Sequence, residues 1–333
     1  MKVTPAAFSL VLLVAVGARA QESLYVRVVG RWDITPESYA VDVSGGHAYL
    51  GHGSSALCAI SVADPTHPVE VGHYGAYCAR ALAVAGGYAY VANYDTGLQV
   101  ISVADPAHPV LVGECATPGH ANYDLALSGK YVYLAGIDSG LRIISVADPA
   151  HPVEVGSYDT PGGAYGVAVS GDVAYVGDRW GGLRVISVAD PTHPTEVGHC
   201  STPYQVIDVA LSGDHAYAAC LDSGLRVFSI ADPAHPVEVG HCPAPRLTEA
   251  VAVAGSYAFV ATWGGGLRVI SIADPAHPVE AAYTRRYYVR SSNGLVVRGG
   301  YIYVASSPGL VILQFYQRGD LDVDNDSLDV VGI

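Results

Sequence analysis

The chain has 333 residues, half of them hydrophobic and only 14% charged, a balance that excludes a disordered acidic chain and requires a large buried core. Its formal net charge is -14 and no basic stripe occurs, which argues against nucleic acid and against docking on anionic lipid. Abundant Gly (38) and Tyr (23) beside scarce Phe (4) and Met (1) suit short strands and tight turns.

In chain order, the first feature is a targeting segment. Lys2 is followed by an apolar run from Ala7 to Val16 and a small-x-small site at Ala18-Arg19-Ala20. These predict a signal peptide over residues 1–20, cut before Gln21, and hence a secreted, extracellular protein. The run is too short to span a bilayer well and no later stretch qualifies, so no membrane span is expected.

A lone strand pattern, YVRVVGRWD, runs from Tyr25 to Asp33. A repeat then takes over. Asp-Pro recurs at Asp64, Asp105, Asp148, Asp190, Asp232 and Asp274, at intervals of 41, 43, 42, 42 and 42 residues. Before each lie a first strand, with copies at Val41, Leu82, Leu125, Val167, Val209, Val251 and Leu295, and a second strand such as YAYVA. A third strand begins at Leu57, Leu98, Leu141, Leu183, Leu225, Leu267 and Leu310, and a fourth, PVEVG, follows each Asp-Pro. The seventh unit lacks its fourth strand, and the N-terminal strand is the one left over. The pattern therefore predicts an all-β fold, a seven-bladed β-propeller of four-stranded antiparallel blades over residues 24–317, closed by an N-terminal outer strand. Gly-containing hairpins join the first two strands. Asp-Pro-x-His-Pro turns join the last two, and Ala83, Ala126, Ala168, Ala210 and Ala252 suit the crowded axis.

The unit AYVANYDTGLQVISVADPAHP at 89–109 and its five analogues resemble the LVIVD-repeat family. This chain has ISVAD where many members have VDVSD. The resemblance implies an extracellular, propeller-like protein of the cell surface or of adhesion, and supplies no catalytic motif.

Repeated residues read as scaffold. His67, His108, His151, His193, His235 and His277 recur once per blade, too far apart to share an ion, and belong to the turns. Arg142, Arg184, Arg226 and Arg268 are expected to meet solvent or link neighbouring blades. Cys58, Cys78, Cys115, Cys200, Cys220 and Cys242 allow 15 pairings, and export permits disulfides between neighbouring blades.

Function is expected where the repeat varies, in two loop sets that propeller geometry places on one face. They supply Tyr39, Arg80, Tyr123, Asp124, Tyr165, Asp178, Arg179, Trp180, Tyr204, Asp208, Arg246, Glu249, Trp263, Tyr287 and Arg290. Aromatic rings with carboxylates and arginines suit a sugar, a peptide or another polar ligand at the channel mouth. Asp42, Asp124, Asp208 and Glu249 lie at or beside inner-strand starts and are placed to approach the axis together, a cation site or an acid–base group.

The tail, residues 319–333, puts Asp320, Asp322, Asp324 and Asp326 at alternate positions, as calcium loops do. It resembles the first loop of a dockerin, which implies calcium and a cohesin-like partner. Asn325 stands where Gly is usual, and Val331 falls at the closing acidic position. The leading expectation is a secreted, non-catalytic scaffold that binds a protein, matrix or polysaccharide partner through the variable face. The alternatives are a propeller enzyme acting on a polysaccharide and a purely structural repeat protein.

Overall fold

The computed structural model describes residues 24–34, 37–53, 57–75, 78–119, 121–244, 246–284, 292–307 and 309–317. Among them the strands form seven four-stranded antiparallel sheets, six of them ordered inner to outer along the chain. Blade 1, for example, comprises Ser38–Ser44, His47–His52, Leu57–Ser61 and Val69–Tyr74. Blade 7 takes three strands from the C-terminal side, Ser292–Arg298, Tyr301–Ser306 and Gly309–Gln317, and its outer strand from the N-terminal side, Leu24–Trp32. This is the closure expected from the leftover N-terminal pattern, and it pairs two edges that would otherwise be open. No helix among the described residues is long and apolar enough to cross a membrane. The expected signal peptide, Arg290 and the calcium loop at Asp320 to Asp326 lie outside the described residues.

Packing follows from the strand alternation. Second and third strands are buried on both faces, so their residues are Val, Ile, Leu, Ala and Tyr. Each apolar cluster joins adjacent blades rather than one blade to itself. Tyr133, Ala135, Leu141 and Ile143 of blade 3, for instance, meet Val167, Val176 and Ile186 of blade 4. Truncating one of these leucines to alanine costs about 2–5 kcal/mol.

The turn chemistry is as read. Gly45 and Gly46 take φ of +58° and +76° in the first hairpin, where a side chain would be strained. In the Asp-Pro-x-His-Pro turn, Asp64 accepts from the Thr66 amide at 2.9 Å and lies 3.0 Å from His67 Nδ1. The same His–Asp contact recurs at 2.8 Å in blades 2 and 5, so these histidines are parts of turns.

Two expectations need correction. The repeated arginines do not link blades through their ion pairs; each pairs across one strand within its own blade. Arg142 meets Glu154 at 3.3 Å, Arg184 meets Glu196 at 3.2 Å, Arg226 meets Glu238 at 2.7 Å and Arg268 meets Glu280 at 3.1 Å. All six cysteines are free thiols. The repeat itself keeps them apart: Cys115, Cys200 and Cys242 end outer strands of different blades. Cys220 and Cys242 share a blade but are two strand spacings apart, about 9–10 Å, beyond the roughly 7 Å a disulfide tolerates. Burial, with the charge of Glu70 beside it, pushes the Cys58 thiol up to about 12.

Candidate functional site

The mouth of the central channel is built by one device repeated around the ring. At the start of the inner strand, pairing slips by one residue between Ser38 and Ala40, Ala79 and Ala81, Asn122 and Asp124, Val206 and Asp208, and Thr248 and Ala250. The residue left over is Tyr39, Arg80, Tyr123, Ile207 or Glu249. A bulge re-aims the side chain it carries, and all five line the cavity at the axis. Blade 4 reaches the same result with Tyr165, whose amide donates to the Gly177 carbonyl at 2.8 Å. Loop-driven variation is thus delivered to the axis by a constant backbone irregularity.

The cavity measures about 460 Å³. Of the fifteen residues expected on the variable face, it gathers nine, eight of them being Tyr39, Arg80, Tyr123, Asp124, Tyr165, Asp208, Glu249 and Trp263. Trp180 stands outside it, 62% exposed. Tyr204 is taken up by the scaffold, its ring 4.2 Å from the Arg226 guanidinium. Arg246 is exposed and not in the lining. Arg179 lines the cavity as well, and so do Gln205 and Ile207, which sequence reading passed over. The signal for Ile207 was its phase, the same repeat position as Tyr39 and Tyr123.

One side of the mouth alternates rings and guanidinium groups. The Arg80 guanidinium carbon lies 4.4 Å from the Tyr39 ring, 5.0 Å from Tyr123 and 5.3 Å from Tyr94. The Tyr123 and Tyr165 rings follow at 4.5 Å, and Arg179 lies 5.2 Å from Tyr165. Arg179 has a positive φ of 38° and donates from Nε to Gln205 Oε1 at 2.7 Å. Cation–π contacts of this kind are worth about 0.5–2 kcal/mol each.

The same lining carries carboxyl groups. Asp124 and Asp208 share a repeat position that is Ala40, Ala81, Gly166, Ala250 and Gly294 in the other blades. Each staples its blade to the next: Asp124 accepts from the Val167 amide and Asp208 from the Val251 amide, both at 2.8 Å. Asp208 also accepts from Val209 at 2.7 Å. Burial is the first cause raising both carboxyls above the usual carboxylate range, and the charge of Asp208 adds to the effect on Asp124. Glu249 is raised to about 7, first by burial and then by the charge of Glu37, against the pull of Arg80. Its Oε2 is buried without a partner.

Asp42 does not join them in the lining. It lies two positions further along its strand and accepts from Val43 and Val84, each at 2.8 Å, another staple. Among the described residues no three His, Cys, Asp or Glu side chains form a group able to hold a metal ion.

Fold and site together define a repeat-built, seven-bladed propeller with a variable mouth on an invariant frame. Seven successive segments, residues 37–76, 78–117, 118–160, 161–202, 205–243, 245–284 and 289–314, match the LVIVD repeat, and the chain belongs to that family. Among curated proteins no relative matches the chain. Three solved structures resemble it in fold. RRP9 WD40 repeats align at TM-score 0.68 and 11% identity, over 88% of this chain and 98% of that one. U3-55K aligns at 0.67 and 11%, over 87% and 98%. The computationally designed Ika8 protein aligns at 0.64 and 12%, over 85% of each chain. At these identities the likeness concerns the fold alone.

Proposed function

We propose that the chain acts outside the cell as a non-catalytic propeller scaffold that holds a protein or polysaccharide partner through its channel mouth. The carrying observation is the cavity of about 460 Å³ in which Tyr39, Tyr123, Tyr165 and Trp263 meet Arg80 and Arg179. That volume lies within the range of ligand pockets, about 300–1,000 Å³. It suits one or a few sugar units or a short peptide stretch, not a folded domain. Rings backed by cations offer flat apolar faces and fixed donors together. The binding reading is favoured over an enzyme because Asp124 and Asp208 already spend carboxylate oxygens on the amides of neighbouring strands.

Glycan and peptide arrays probed with the full chain test this. Hits are expected that fall at least about tenfold, 1.4 kcal/mol, in the double variant Tyr123→Ala/Trp263→Ala. Equal capture by the variant, or cleavage of a bound glycan, would overturn the reading. The aspartates at 320–326 support a separate attachment role through calcium and a cohesin-like partner. Calorimetric calcium titration of the full chain against one ending at Arg318 decides it: uptake must disappear with the tail.

A further inference from the structure

Six of the propeller's arginines form two contrasting sets. Arg142, Arg184, Arg226 and Arg268 each pair with a glutamate of the outer strand. Arg80 and Arg179 have no carboxylate partner among the described residues, and both line the axial cavity. The Nε of Arg80 is buried without any hydrogen-bond partner, and three tyrosine rings surround the guanidinium. A guanidinium cannot shed its proton. Walled in by rings and lacking a counter-ion, it attracts an anion more strongly than it would in water. The geometry of its fork suits a carboxylate.

Other charged and titratable groups face this position, and none of them forms an ion pair with Arg80 among the described residues. They include Glu249 from the inner strand of blade 6, Glu37 ahead of blade 1, Tyr39, Tyr94 and Tyr123, whose rings lie on the guanidinium, and Asp124 and Asp208 in the same lining. Glu249 titrates near 7 and is uncharged in mildly acidic solution. Asp124 and Asp208 accept hydrogen bonds from the next blades and are held toward their protonated forms. In mildly acidic solution Glu249, Asp124 and Asp208 are held toward their neutral forms, and the guanidinium charge in the mouth is less opposed.

Building on the mouth-binding reading, we propose that the ligand is an acidic saccharide, a hexuronate unit whose carboxylate pairs with Arg80. Two features select a sugar over an acidic peptide. The unpartnered Oε2 of Glu249 calls for a hydrogen-bond donor, and a uronate ring presents several hydroxyls within one unit of its carboxylate. The faces of the tyrosines and of Trp263, itself 57% exposed, suit the apolar face of a pyranose.

The test is calorimetry on the full chain with trisaccharides of galacturonate and mannuronate, their methyl esters, sodium acetate and an oligo-glutamate peptide. At least one acid is expected to bind, with its ester about tenfold weaker or worse. Arg80→Gln should cost at least about tenfold and Arg80→Lys less, both measured well below the melting midpoint of each variant. Affinity for the acid should fall several-fold from about pH 5.5 to about pH 8.5 as Glu249, Asp124 and Asp208 ionise, and Glu249→Gln should make that dependence shallower. Equal binding of acid and ester, lost in Tyr123→Ala, overturns the acidic ligand and leaves the mouth as the binding site. Binding untouched by Tyr123→Ala overturns the mouth reading itself. Acetate or the peptide matching the trisaccharide, or no uptake of either acid, overturns the sugar.

Discussion

Asp124 and Asp208 stand where five other blades have Ala or Gly, and the exchange has a thermodynamic consequence. An ordinary Asp titrates near 3.8, while burial keeps these two protonated to higher pH in the fold. Between those values the unfolded chain has released its proton and the native chain has not. The native state binds more protons there, so stability falls as pH rises. The contribution is complete below about pH 4 and is lost by the point at which the native carboxyls ionise. Asp64 and Asp190 act oppositely. Hydrogen bonds from the adjacent Thr side chain and amide, then from His, hold them down to about 2, so their stabilisation is present above the usual value and is lost in strong acid. Thermal melts from about pH 4.5 to pH 8 should therefore show a downward slope that is shallower in Asp124→Asn/Asp208→Asn, by about 2–4 °C per kcal/mol recovered. Equal slopes would refute the staples as its source.

At the scale of the element, the outer strand carries a glycine with a job. A Cβ at Gly72, Gly113, Gly156, Gly198 or Gly240 would meet the proline carbonyl of the next blade's Asp-Pro turn closer than any real Cβ allows. Gly30, in the N-terminal strand, meets the Pro65 carbonyl of blade 1 in the same way. Blade 6 has Ala282 at this phase, fully buried, because blade 7 has no such turn to accommodate. A matched pair of substitutions measures the constraint. Gly156→Ala should destabilise by about 1–3 kcal/mol through overpacking. Ala282→Gly, which introduces no clash, should lose about 0.5–1 kcal/mol, mostly of chain entropy. Denaturant unfolding that ranks them the other way would remove the turn contact as the reason for the glycine.

For the whole molecule, the ring closes through Leu24–Trp32 pairing with Gly309–Gln317. Val26 of that strand is buried with Phe259, Val269, Ile302 and Leu313, which join blades 6 and 7. A chain beginning at Ile34 loses this seam and opens an edge on blade 7. Its melting midpoint should drop by about 5–10 °C, from the loss of buried apolar area and strand pairing, and light scattering should show self-association through the open edge. A deletion that melts like the full chain would mean the closure is dispensable.

Blade number, strand order and ring closure were legible in the amino-acid order. A repeat that cannot bury its own two faces must stack, and its phase records the stacking. The turns were legible for the same local reason, since Gly45, Asp64 and His67 bond within a few residues of themselves. The mouth was legible only in part. Variable phases pointed to Tyr39, Arg80, Tyr123 and Glu249, and the phase of Ile207 was passed over because a one-residue slip in pairing, which aims that position at the axis, leaves no mark in composition. Which arginines are paired, which carboxyls hold protons and which cysteines stay apart are properties of distance between strands and between blades. Such distances exist only once the ring has closed, and there the tertiary structure alone decided.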